Sequence, residues 1–166
     1  ITASHNTKEY NGYKISNEFG AQLFSDQQEA IIDRVKQVAM SEVKGRGLIL
    51  GEIAKENGPG LGKLTYLAQE MDEVYKERIK GFILDRGILE EWAPEVKILY
   101  DPLYGSGRNL VLSLLKELGF KVEILTRHVR PDGKFEGLDS PDPGEAKNLS
   151  NARHEAAQND IDYIIA

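Results

Sequence analysis

Apolar side chains recur along this chain at two spacings, and the changes from one to the other mark out its elements. From Ser25 to Met40 the segment SDQQEAIIDRVKQVAM places Ile31, Val35 and Val38 on one helical face, with Ser25 as cap and Gln28 in the reciprocal capping position. Before it, the pieces YKIS and AQLF, separated by Asn17 to Gly20, predict short strands around a turn. A second helix is predicted from Leu67 to Leu84, where Met71, Val74, Tyr75, Ile79 and Phe82 build one apolar stripe opposite a charged side. Between them, residues 41 to 66 are broken by seven punctuators, Gly45, Gly47, Gly51, Gly58, Pro59, Gly60 and Gly62, with only LILGEIA as a regular run.

The rhythm changes after residues 85 to 95, DRGILEEWAPE, a mixture of charge, Gly and Pro that suits a boundary between folding units. Val96 to Tyr100 reads as a strand and DPLYGSGRN as a turn. Leu110, Val111, Leu114, Leu115 and Leu118 then form a helical face closed by Gly119, and VEIL at 122 to 125 is the next strand. Such a βαβ unit lays its two strands parallel through a right-handed crossover. After the loop RPDGKFEGLDSPDPGE, a helix over 145 to 158 carries Leu149, Ala152 and Ala156, and IDYIIA, ending at Ala166, predicts a buried strand. The expected fold class is α/β, with mixed sheets and flanking helices. Three segments are expected: 1–66 as part of a first domain, 67–95 as connecting helix and linker, and 96–166 as a second domain.

Composition narrows the function classes. At 166 residues, 40% hydrophobic and 29% charged, with 16 Gly and 6 Pro, the chain has the make-up of a soluble globular protein. A formal net charge of −6 argues against a nucleic-acid partner held by general phosphate attraction. The absence of cysteine excludes a disulfide framework, a thiolate-ligated zinc site and a catalytic thiol, and fits a reducing compartment. No apolar run approaches the roughly 20 residues of a membrane span, and the opening ITASHNTKEYNGYK lacks the form of a signal peptide. A cytoplasmic location with no membrane partner is therefore expected; a first residue of Ile1 suggests a processed or cut chain.

Candidate chemistry concentrates at the start. Thr2, Ser4, His5, Asn6, Lys8, Asn11 and Lys14 lie within 14 residues, punctuated by Gly12. A serine flanked by His and Asn suits a loop-held nucleophile, and lysines beside a transferring phosphoryl group would stabilise its charge or move a proton. The same residues also read as a polar terminal loop with solvated charges. Elsewhere, Gly105 and Gly107 have a Gly-x-Gly spacing at a strand-to-helix turn, but a third glycine of the dinucleotide fingerprint would fall at Leu110. They read as a tight packing turn before a phosphate site. NGPGLGK at 57 to 63 lacks the Lys-Ser/Thr ending of a phosphate loop. His128 and His154 lack metal-ligand spacing and are expected at the surface.

ITASHNTKEYNGYK resembles the active-site signature of the α-D-phosphohexomutases, a family that includes phosphoglucomutase, phosphomannomutase and phosphoglucosamine mutase. The resemblance places Ser4 at the family's phosphoserine, with His5 and Asn6 as positioning neighbours and Lys14 as the lysine of proton transfer. Ser4, His5 and Lys14 are thus the expected catalytic residues, and Asn6 and Lys8 are expected to bind substrate. Thr7 stands where the family usually has proline. KILYDPLYGSGRN, DGKFEG, SPDPGEAKNL and the final apolar strand resemble, in that order, the family's second domain. In the family that strand runs into an acidic D-x-D-x-D-R loop that binds magnesium. The resemblance therefore implies an internal fragment, inactive alone, whose aspartate metal ligands would lie beyond Ala166. What it implies for the parent is an intramolecular phosphotransferase using Mg2+, meeting the metal through the phosphoryl group on Ser4. Its substrate would be a hexose phosphate and its intermediate a hexose 1,6-bisphosphate. A non-catalytic sugar-phosphate sensor, or a nucleotide-binding α/β domain using Gly105 and Gly107, are the competing expectations; oligomeric state is left open.

Overall fold

A computed structural model describes Thr2, residues 5–43 and residues 69–166. The run LILGEIA, the NGPGLGK loop and the expected start of the second helix at Leu67 lie outside the described residues. The chain divides into two compact units, one of residues 1–13 with 69–166 and one of residues 14–68.

In the unit of residues 14–68, the expected pair of strands reduces to one antiparallel bridge, Ser16 with Gln22. The intervening turn is held by the Asn17 side chain, which accepts from the N–H groups of Phe19 and Ala21, and passes through Gly20 at φ 80°. Asn favours such turns because its short side chain mimics a backbone acceptor. Helix α1 follows at Ser25–Gln37. Its cap is Phe24 rather than Ser25, and Gln27 rather than Gln28 accepts the Phe24 N–H, at 3.2 Å. The extended Phe24 backbone starts the helix one residue earlier than the serine signal suggested. Of the expected apolar face, Ile31 and Val38 are half-buried and Val35 is exposed.

The other unit holds helix α2 (Gln69–Lys80), helix α3 (Arg86–Trp92) and strand β1 (Lys97–Tyr100). Helix α4 (Leu110–Glu117), strand β2 (Lys121–Ile124), helix α5 (Ser150–Gln158) and strand β3 (Tyr163–Ile165) complete it. The three strands are parallel in the order β2-β1-β3. The mixed α/β class expected from the sequence therefore holds. Leu99, Leu125 and Ala152 form the core, with Ala156, Ile161 and Ile164 packed against it; among the described residues no helix is long and apolar enough to cross a membrane.

Four local expectations change. Residues 85–95, read as linker, form α3 capped by Asp85, whose side chain accepts the Ile88 N–H at 3.0 Å, and then a 3-10 turn. The helix expected over 145–158 begins only at Ser150, because residues 142–148 make a turn around buried Asn148, whose amide donates to Asp142 O at 2.9 Å. The final run IDYIIA, expected to be a buried strand through Ala166, is strand only over Tyr163–Ile165. It is an outer strand of the described sheet, with Tyr163 exposed, and Ala166 beyond it is exposed and outside the strand. Finally, the stripe of α2 does not face inward. Met71, Val74, Tyr75 and, past the helix end, Phe82 are exposed and Ile79 is half-buried, whereas Lys76 is only 4% exposed. Lys76 and Lys80, one helical turn apart, both pair with Glu117 of α4.

That cluster has a pH signature. Its two lysines hydrogen-bond Glu117 and hold its carboxyl below the ordinary 4.5, while the same bonds raise both lysines. A carboxyl lowered on folding stabilises the fold above its unfolded value, and that contribution disappears as pH falls through the lower folded value. Thermal unfolding of the chain is expected to lose midpoint as pH falls from about 4.5, and Glu117→Gln is expected to remove part of that slope; an unchanged slope would dismiss the cluster as its source.

The glycines of DPLYGSGRN have a packing role, as the sequence suggested. A Cβ on Gly105 would lie 2.8 Å from the Pro102 carbonyl oxygen, and one on Gly107 would lie 2.5 Å from the buried Tyr100 hydroxyl. Because the Pro102 oxygen is backbone, Gly105→Ala is expected to destabilise by about 1–3 kcal/mol, the usual cost of overpacking. The urea midpoint measures it.

Candidate functional site

The N-terminal loop is tied at its base. Thr2 N–H donates to the Gly12 carbonyl at 2.8 Å, and Tyr10 N–H to the Thr7 carbonyl at 3.1 Å, which folds residues 7–10 into a turn. At the position where the resemblance expects proline, Thr7 is the first cause, ahead of the Glu9 backbone N–H and nearby Lys8, that holds the Glu9 carboxyl below its ordinary value. Thr7 thus supplies through hydrogen bonds some of the order that a fixed proline φ gives. His5, Asn6 and Lys8 lie on this loop and are exposed. Ser4 lies outside the described residues. Lys14, which is exposed, is the first residue of the other unit.

A second group of polar residues, missed by the sequence reading, occupies the carboxyl end of the parallel sheet. Asp101, which directly follows β1, is fully buried; its Oδ1 accepts the Leu103 N–H at 3.0 Å and lies 2.8 Å from His128 Nδ1. Facing a carboxylate oxygen, that nitrogen carries the hydrogen. His128 is fully buried too, which overturns its expected surface position, whereas His154 is exposed as expected. The backbone joins the same group: the Asp101 N–H donates to Ile165 O at 2.8 Å, and the Tyr104 N–H to His128 O at 2.9 Å.

Tyr104 completes the arrangement. Its ring lies 5.0 Å from the His128 ring and 6.2 Å from that of Phe135, and its hydroxyl donates to the Glu136 carbonyl at 2.7 Å. Burial, reinforced by Asp132 and Glu136, raises the Tyr104 phenol above its ordinary value and keeps it a donor. One signal could have found this group: in an open parallel sheet of order β2-β1-β3, the strand order reverses at β1, with β2 added on one side and β3 on the other, and polar residues just past such a strand end are where ligands usually meet the fold. Ala166 stands at this same end of the sheet, directly after β3, and its methyl side chain offers a metal no donor. Among the described residues, no group of three His, Cys, Asp or Glu side chains could hold a metal ion.

Comparison with known proteins gives a consistent relationship along the chain. Residues 73–166 match the family described as phosphoglucomutase/phosphomannomutase, alpha/beta/alpha domain II, and residues 1–42 match its alpha/beta/alpha domain I. A phosphoglucomutase of Staphylococcus saprophyticus is 29% identical over 167 residues, covering 100% of this chain and 28% of its own length. A phosphoribomutase of Saccharomyces cerevisiae is 28% identical, with 100% of this chain and 27% of the relative covered. A phosphomannomutase of Mycoplasmoides pirum is 29% identical, with 99% and 28% covered. The chain thus spans little more than a quarter of the length of these curated relatives. No solved structure matches. With two consecutive domains of one family matched, the second over more than half of its residues, the chain belongs to the phosphoglucomutase/phosphomannomutase family.

Proposed function

We propose that this chain is the nucleophile-bearing part of a phosphomutase that moves a phosphoryl group between two positions of a hexose phosphate. The observation that carries the reading is the Ser4 signature inside a loop closed by the Thr2–Gly12 bond, in a chain of this family. In the proposed exchange, the phosphorus–oxygen bond at phosphorylated Ser4 breaks as a sugar hydroxyl oxygen bonds to phosphorus. The hydroxyl proton passes by way of Lys14 to the departing serine oxygen, so that the serine hydroxyl is regenerated. The bisphosphate then turns over, and its other phosphoryl group returns to Ser4. His5 and Asn6 orient the serine loop, and Lys8 offers an ammonium to the substrate phosphate.

Magnesium belongs to the reading by resemblance, as a neutraliser of the group in flight, with its aspartate ligands in the parent placed after Ala166. Among the described residues no group of three His, Asp or Glu side chains could hold it. The names of the relatives include glucose, mannose and ribose phosphate mutases, which supports a sugar-phosphate substrate. The test is to express the protein from its intact gene, incubate it with a hexose 1,6-bisphosphate and magnesium, and locate phosphate by peptide fragmentation. Phosphate on Ser4 supports the exchange; an unmodified Ser4 in a folded protein removes it.

A further inference from the structure

The carboxyl end of the sheet is closed in a way that leaves polar atoms unsatisfied and backbone strained. Asp101 Oδ2 and His128 Nε2 are buried without a hydrogen-bond partner among the described residues, a state that opening to water would relieve. Left-handed φ values occur at Leu103 (44°), Tyr104 (63°) and Phe135 (53°), three of the four such non-glycine residues described. Side chains bearing a Cβ rarely adopt that conformation, and it persists only where surrounding contacts hold it. Here the contacts are few and local. The Asp101 carboxylate fixes Leu103, the His128 carbonyl fixes Tyr104, and the Tyr104 hydroxyl and ring hold residues 135–136. Beyond Tyr104, the loop keeps its own shape through Asp132, which accepts from the N–H groups of Lys134 and Glu136.

We propose that residues 129–137 form a strap, latched by Tyr104, which swings off the carboxyl end of the sheet without unfolding it and uncovers the Asp101–His128 pair. The closed state keeps the imidazole beside the Tyr104 ring; the open state gives its free nitrogen and the free carboxylate oxygen to solvent. The strap carries its own turn, and among the described bonds and ring contacts Tyr104 supplies the hydroxyl bond and the ring contact that latch it. This device goes beyond the phosphoryl exchange and does not depend on it.

Diethyl pyrocarbonate, which acylates accessible imidazole nitrogen, reads the opening in the 166-residue chain. Peptide mapping follows His128, with exposed His154 as the reference and the unfolding midpoint as the control. Tyr104→Phe keeps the ring and removes only the bond to Glu136, and is expected to raise His128 modification about fivefold or more, as loss of one hydrogen bond implies, with His154 and the midpoint unchanged. Phe135→Gly, which suits the left-handed φ and removes the ring contact, is expected to act in the same direction. If His128 reacts at the wild-type rate in both variants, or reacts only in step with global unfolding as urea is raised, the strap is a fixed part of the fold and the proposal is overturned.

Discussion

Replacing Ser4 with alanine in the protein expressed from its intact gene is expected to abolish phosphoryl uptake from a labelled hexose bisphosphate. Mutase turnover should fall on the order of 10^4-fold or more, since loss of a covalent nucleophile removes the route itself and leaves only binding and residual electrostatics. Lys14→Met offers the contrast. It retains the serine, so label is expected to appear at Ser4 while turnover drops through the missing proton transfer, by roughly 10^2-fold to 10^4-fold as for a general acid or base. Turnover by the Ser4→Ala protein at the wild-type rate would exclude the phosphoserine path. Wild-type turnover in Lys14→Met would remove that lysine from the proton step.

The largest effect on stability is expected from His128→Ala. It would leave the Asp101 carboxylate fully buried, holding only the Leu103 N–H, with no group to balance it. Removing one partner of a buried hydrogen-bonded pair leaves the other group unsatisfied, which costs about 1–3 kcal/mol and more for a charged group. That is a large share of the roughly 5–15 kcal/mol by which a domain is stable. Asp101→Ala should cost a similar amount. The double variant should cost clearly less than the sum, because each replacement removes the partner that the other leaves stranded. Urea unfolding of the four proteins measures this cycle. A loss under about 1 kcal/mol for His128→Ala would place the pair with ordinary surface ion pairs instead.

The unit of β1, α4 and β2 was legible because its residues carry their own instructions: an apolar run at Val96 to Tyr100, glycines where a Cβ would collide, and leucines at helical spacing ending at a left-handed Gly119. Helix α2 shows the limit of that reading. Periodicity shows which side chains share a face, but not which face finds a partner. Lys76 turned inward because Glu117 waits 41 residues further along the chain. His128 escaped notice for the same reason, since the aspartate that makes it a buried residue stands 27 positions earlier. The Ser4 loop was the reverse case. Its residues spoke through a motif, while its Thr2–Gly12 tie and its Tyr10–Thr7 turn are geometric facts that no spacing announces.

The parallel sheet has a consequence for the order in which this chain can fold. Strand β1 lies in the middle and pairs on one side with β3, which ends one residue before Ala166. Lys97 exchanges backbone and side-chain bonds with Asp162, 65 residues away. A ribosome therefore exposes β1 and β2 long before the strand that completes β1 exists. Closing so long a loop carries an entropic cost that must be met before the contact is made, which slows folding relative to local pairings. Until Ile165 has emerged, the other edge of β1 is an open row of donors and acceptors, the kind of edge that recruits strands from other chains. During synthesis, the buried Ile98, Leu99 and Tyr100 of that strand are thus apolar surface that stays uncovered until β3 arrives, the kind of surface that chaperones shield.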